Sequence, residues 1–371
     1  MLPADHPENP IMPPLHKHFP PPHAHPPQSA RWRVVAAGAM LLLASLASVA
    51  IAPNARAAND GQARQIISLG QNAPYQFAVY ANQALQAVPN PSRAAVVLLH
   101  GVKRNADDYF TIGQALLKAA DMPADTLLLA PNFMTRNDRG ASDAMPLWGG
   151  GTWMQGEPSE NGIAGLSSFD ALDDIVRYLA DRQRFPQLRQ IVLVGHSAGA
   201  QLMQRYAVMN RLDDLTGAVG IHVRYVISSP SSYLYFDAMR PVGDGFAQPA
   251  TDQCPGYDNY RYGIGEPPAY LKRQALDGRR LFQRYAARDI IYLVGARDDD
   301  PNHRYLDRAC GAALQGQTRV ERQRNFVRYE QFLAARWNVP LQHPQFQVEG
   351  AAHEAGRLFR SPATAHRMLG Q

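Results

Sequence analysis

Along residues 58–371, short runs of apolar and often β-branched residues alternate with longer segments whose apolar positions recur every three or four residues. The clearest short runs are 94–99, 126–130, 191–194, 225–228 and 290–294. A shorter one lies at 346–348, and 76–80 predicts an earlier, more exposed strand. Val96-Val97-Leu98-Leu99 and Ile191-Val192-Leu193-Val194 lack any polar alternation, which predicts strands covered on both faces of a parallel sheet. Between the runs, 109–120 and 169–182 predict helices, and Leu172, Ile175, Val176 and Leu179 share one face of the second. This order predicts an α/β protein with a doubly wound, mostly parallel sheet.

Two stretches are too long for simple connections. One, 131–166, carries Trp148-Gly149-Gly150-Gly151 and Trp153. The other, 229–288, holds Tyr233, Tyr235, Tyr257, Tyr260, Tyr262, Tyr270 and Tyr285. Tyrosines with apolar bodies and polar tips suit a cap that lines a ligand, and equally suit the packing of a loop-rich subdomain.

Residues 1–30 hold 10 of the 29 prolines and 5 of the 12 histidines, a composition that predicts a disordered extension. Within 31–57, Arg31-Trp32-Arg33 precedes an apolar run at 34–52, and Ala55-Arg56-Ala57 follows. That pattern predicts a signal peptide cleaved near Ala57 and an exported, periplasmic or secreted, protein. The alternative is a membrane anchor at 34–52, a length that just spans a bilayer. In both cases the two arginines keep the amino end cytoplasmic. The 37 basic and 32 acidic residues, net charge +5, are dispersed without a dense Lys/Arg cluster, which argues against a nucleic-acid partner. Cys254 and Cys310 are the only cysteines, and an even count in an oxidising compartment predicts one disulfide. The alternative is two unpaired buried thiols.

The chemistry centres on Gly195-His196-Ser197-Ala198-Gly199. On the order of one chain in ten of this length carries a G-x-S-x-G by chance, so context decides. Here the strand at 191–194 enters the motif, and an Ala/Leu/Met-rich helix at 198–209 leaves it. Such a strand–turn–helix holds the serine hydroxyl above the sheet. Serine needs a base and an orienting acid, and both follow at the ends of later strands. Asp298, Asp299 and Asp300 come after 290–294, and His353 comes after 346–348. Asp298, the first carboxylate after its strand turn, is the expected acid, with Asp300 the alternative. His353 would take the Ser197 proton and return it to the leaving group. His100 and His196 sit in backbone turns, where supporting hydrogen bonds are expected. An oxyanion hole needs two backbone N–H groups; Ala198 and Val102 are the expected donors, with Lys103 the alternative to Val102. No metal motif is present: His353-Glu354 lacks the second histidine of a zincin, and Asp298, Asp299, Asp300 and Asn302 lack EF-hand spacing. No P-loop or G-x-G-x-x-G is present either.

His100-Gly101, the Gly195–Gly199 elbow, Asp298 and His353 together resemble the α/β-hydrolase superfamily over residues 70–365. The stretch from His100 to Tyr109 is similar to secreted esterases related to polyhydroxyalkanoate depolymerases and feruloyl esterases. Ala200 stands where those relatives usually have a second glycine, and two cysteines allow one disulfide where they often have several. The resemblance implies an α/β-hydrolase catalytic domain over 58–371, with a cap-like insertion at about 229–288 after the sixth strand of that fold. It implies carboxylic ester hydrolysis through an acyl-enzyme, without a cofactor, on a small-molecule or polymeric ester. A membrane enters only if 34–52 is retained. An amidase or peptidase with the same triad, an acyltransferase, and a non-catalytic binding protein on the fold are the alternatives.

Overall fold

The structure is a computed structural model and describes residues 63–250 and 252–370. The Pro/His-rich extension and the signal or anchor segment lie outside the described residues.

Eight strands form one sheet. In chain order they are β1 (Arg64–Leu69), β2 (Tyr75–Ala81), β3 (Ala94–Leu99), β4 (Leu127–Pro131), β5 (Gln190–His196), β6 (His222–Ser228), β7 (Asp289–Gly295) and β8 (Gln345–Val348). Their spatial order is β1-β2-β4-β3-β5-β6-β7-β8. β1 and β2 pair antiparallel, as do β2 and β4, and the other pairs are parallel. The chain has a doubly wound, mostly parallel α/β fold.

The uninterrupted apolar runs become central strands because each face receives alternate residues. Val97, Leu99, Ile191 and Leu193 enter one core; Val96, Leu98, Val192 and Val194 enter the other. Helices α1 (Ala106–Ala119) and α6 (Pro362–Leu369) cover the second face. The first is covered by α2 (Ser168–Ala180), α3 (Ala198–Met209), α4 (Gly278–Ala286) and α5 (Arg319–Trp337). α2 starts where Ser167 and Asp170 exchange side-chain and backbone hydrogen bonds, a capping box that satisfies two otherwise unpaired N–H groups. Every residue of α3 is buried, including Arg205, so this helix runs through the interior.

Three elements differ from expectation. β1 was not foreseen, because Ile66-Ile67 is a short apolar run between polar flanks. β2 is mostly buried instead of exposed. The long connection after β4 folds back on it, and Met134, Met145 and Leu147 pack against Ala78. The 19-residue α5 carries many charges, yet Arg319, Arg322 and Glu330 are buried beside Phe326, Tyr329 and Leu333. Among the described residues no helix is long and apolar enough to cross a membrane.

The 229–288 stretch contains a short ribbon (Arg240–Val242 with Gly245–Ala247), a turn of helix at Ala269–Lys272 and α4. Tyr233, Tyr235, Tyr270 and Tyr285 are buried in the main core, and Tyr257 is buried too. Packing, therefore, and not ligand lining, accounts for these side chains.

Candidate active site

Because β3, β5, β7 and β8 run parallel, the turns after them gather at one edge of the sheet, the usual ligand-binding edge of such folds. The turn after β5 brings Ser197 to φ 56° and ψ −117°, a conformation that side-chain-bearing residues rarely adopt. Two glycines permit it. A Cβ on Gly195 would stand 2.3 Å from the Gly199 carbonyl oxygen, and one on Gly199 would stand 2.6 Å from that of His100. The Ser197 N–H donates to the Ser228 carbonyl at 2.9 Å, tying the elbow to β6.

His353 bridges Ser197 and Asp298. The Ser197 hydroxyl lies 2.9 Å from His353 Nε2, and His353 Nδ1 lies 2.7 Å from Asp298 Oδ2. Asp298 is buried, and its other oxygen accepts from Arg319 Nη1 at 3.0 Å. Burial alone would raise the Asp298 pKa. The hydrogen bond from His353 and the Arg319 charge outweigh it and hold the carboxyl below its ordinary value. An ionised carboxylate only accepts, so His353 carries a proton on Nδ1, and the neutral imidazole then has a bare Nε2 facing the hydroxyl. Asp299 and Asp300 are exposed, and Asp300 instead accepts from the Asn302 N–H at 2.8 Å.

The two turn histidines are structural props. His196 Nε2 donates to the His353 carbonyl at 2.9 Å, and its Nδ1 accepts from the Ser228 hydroxyl at 3.1 Å. His100 Nδ1 donates to the Gly101 carbonyl at 3.0 Å, and Nε2 accepts from the Phe133 N–H at 3.1 Å. Complete burial lowers the pKa of His100 to about 4 and that of His196 to about 3, so both stay neutral. Arg104 grips Asp138 through two 3.0 Å bonds, pinning the turn after β3 to the connection after β4. The N–H groups of Val102 and Ala198 donate to no acceptor among the described residues.

Two lobes of one cleft meet at Ser197. The smaller, about 220 Å³, is bounded by Val102, Met154, Ala198 and Gln201 on one side and by Arg261 and residues 304–307 on the other. The larger, about 420 Å³, contains Lys103, His303, His353 and Glu354. Val102 borders both lobes, and Lys103 only the larger. None of the seven tyrosines between 233 and 285 lines either lobe.

Sequence reasoning missed Arg319, the second partner of Asp298, and the wall formed by His303, Arg304 and Tyr305. His303 Nδ1 accepts from Arg319 at 3.3 Å, and its ring stands edge-on to His353 at 5.0 Å. No motif marks these residues, which lie in the connection after the acidic turn. Cys254 and Cys310 form a disulfide, which ties the end of this wall to the 229–288 stretch. Among the described residues no cluster of three His, Cys, Asp or Glu side chains is arranged to hold a metal ion.

A strand order of 1-2-4-3-5-6-7-8 with a strained serine after β5 is the arrangement of one large enzyme class, and the sequence agrees. The chain belongs to the alpha/beta hydrolase family, whose pattern matches residues 96–365. No curated protein matches the sequence closely enough to count as a relative. Among solved structures the chain is similar to LpqC, a poly(3-hydroxybutyrate) depolymerase from Bordetella parapertussis. The TM-score is 0.56 and the identity 22%, over 85% of this chain and 92% of that one. It is also similar to poly(aspartic acid) hydrolase-1 from Sphingomonas sp. KT-1, with TM-score 0.56 and 18% identity, over 83% of this chain and 98% of that one. At such identities the likeness bears on the fold alone.

Proposed function

We propose that this hydrolase is an exported serine carboxylesterase that works through a Ser197–His353–Asp298 triad and an acyl-enzyme. The observation that carries the reading is the unbroken line from the Ser197 hydroxyl through His353 to a buried, ionised Asp298. Ser197 Oγ attacks the acyl carbon while His353 Nε2 takes its proton. The oxyanion that forms is held by the N–H groups of Val102 and Ala198, which have no other partner among the described residues. Protonated His353 then gives its proton to the leaving alkoxide, and Asp298 balances the imidazolium charge throughout. In the second half His353 takes a proton from water, the hydroxide attacks the acyl-enzyme, and Ser197 leaves with the proton. The net change is ester plus water to acid plus alcohol, with no cofactor in the balance.

The leader-like segment at 31–57 and the Cys254–Cys310 disulfide support export, since disulfides persist in oxidising compartments. The 229–288 stretch acts as a partial cap: it supplies Ser231 and Arg261 to the smaller lobe and is held by the disulfide. The preferred ester, small or polymeric, is to be read from turnover. Wild-type protein and Ser197→Ala are assayed on 4-nitrophenyl esters from acetate to palmitate, with methyl ferulate and a polyhydroxybutyrate film alongside. Turnover by the wild type and its loss in the folded variant are the expected results. Equal turnover in both would remove Ser197 as nucleophile. A folded wild type inactive on every ester would move the reading to amides.

A further inference from the structure

The two lobes share Val102, Ser197, Arg304 and Tyr305 and differ in their other walls. In the mechanism above, the leaving oxygen must face His353, which borders only the larger lobe, so the acyl chain extends the other way, past Ala198, the oxyanion donor that borders only the smaller. That direction is the smaller lobe. At about 30 Å³ per heavy atom, its space of about 220 Å³ suits a chain of roughly seven.

The walls of that lobe are cationic. Arg261 and Arg304 both border it, Arg304 at the junction with the larger lobe, and its single lining carboxylate, Asp307, is already engaged. Asp307 Oδ2 accepts from Arg261 Nη2 at 3.0 Å and from the Tyr262 hydroxyl at 2.8 Å. Arg304 lies 4.3 Å from the Tyr305 ring centre and has no carboxylate partner among the described residues. Behind Gln201 and Met154 sits Arg205, wholly buried, whose Nη atoms reach only neutral acceptors: Met154 O, Gln201 Oε1 and Ser232 Oγ. Its Nε is buried with no acceptor at all. Two guanidinium groups therefore face this lobe, Arg261 paired with Asp307 and Arg304 without a carboxylate, and a third, Arg205, is buried behind it. A plain alkyl chain would displace water from them without replacing its hydrogen bonds, which is costly. An anionic tail would instead form charge-assisted hydrogen bonds.

We propose that the smaller lobe selects acyl groups that end in a carboxylate, as in monoesters of short dicarboxylic acids, with Arg304 and Arg261 as the recognising side chains. The inference rests on the esterase reading above and adds the substrate class to it.

The test compares kcat/KM for three 4-nitrophenyl esters of equal reach on the purified protein: the adipate monoester, the hexanoate and the 6-hydroxyhexanoate. The adipate monoester is expected to exceed the hexanoate by roughly tenfold or more, with the hydroxy ester between them. In Arg304→Gln and in Arg261→Gln the adipate-to-hexanoate ratio is expected to fall by about tenfold. Arg304 is exposed and Arg261 half-buried, so neither change threatens the core. A wild-type ratio of one or less overturns the proposal, as does a preference for the hydroxy ester. A ratio that survives in both variants overturns it too. Turnover of the hexanoate without adipate preference removes only this inference, whereas inactivity on all three removes the esterase reading and the inference with it.

Discussion

Replacing Asp298 by Asn keeps the side chain's shape and removes its charge, and the surroundings dictate how the amide must sit. Arg319 Nη1 approaches the Oδ1 position at 3.0 Å and carries only donors. The Asn carbonyl oxygen therefore turns toward Arg319, and the amide NH2 turns toward His353 Nδ1. His353 must then accept at Nδ1 and carry its proton on Nε2, where it meets the Ser197 hydroxyl with a donor instead of a base. Where a comparable aspartate in a serine-protease triad is so changed, the wrong tautomer costs about 10⁴ in kcat, or ~5.5 kcal/mol of barrier. The same loss is expected here. Arg319 also loses its anionic partner in the interior, at a cost to stability of roughly 1–3 kcal/mol. Thermal denaturation must accordingly show the variant folded at the assay temperature before rates are compared. The assay is initial velocity at saturating 4-nitrophenyl butyrate, with Asp300→Asn as the control. Asp300 is exposed and its side chain accepts only a local backbone N–H, so that variant should stay within about twofold of wild type. Asp298→Asn retaining a tenth of the wild-type kcat, or Asp300→Asn falling as far, would refute the tautomer argument.

Two further outcomes follow from the frame around the site. The Cys254–Cys310 bridge spans 56 residues, and opening it by a double change to Ser should lower stability by up to about 4 kcal/mol. An unchanged midpoint in guanidinium would show the bridge to be idle. Asp173 accepts from Tyr206, Tyr270 and Arg177, yet burial dominates and raises its pKa from 3.8 to about 6. A carboxyl raised on folding favours the folded state fully below its unfolded value, and that contribution is lost as pH rises through about 6. Asp173→Asn should therefore remove on the order of 3 kcal/mol of pH dependence between pH 4 and 7; a stability–pH curve of unchanged slope would contradict it.

Much of this molecule is written in short stretches of chain. Each buried central strand is a few consecutive apolar residues, because a strand covered on both faces needs no polar alternation. The elbow is legible for the same reason: a turn tight enough to force Ser197 to φ 56° requires Gly195 and Gly199 within four residues of each other. The order of Ser197, acid and His353 could be read as well, since each follows a recognisable strand. Only tertiary structure could choose among the rest. Asp298, Asp299 and Asp300 are chemically equal in sequence, and Asp298 is separated from them by burial and by Arg319, 21 residues away on α5. The tyrosines of 229–288 could line or pack, and contacts with α5 make Tyr233 and Tyr235 core residues. β2 was expected at the surface, and a connection beginning some 50 residues later covers it. Local sequence specifies what a backbone segment can do on its own, whereas burial, partner and charge state depend on what distant segments bring against it.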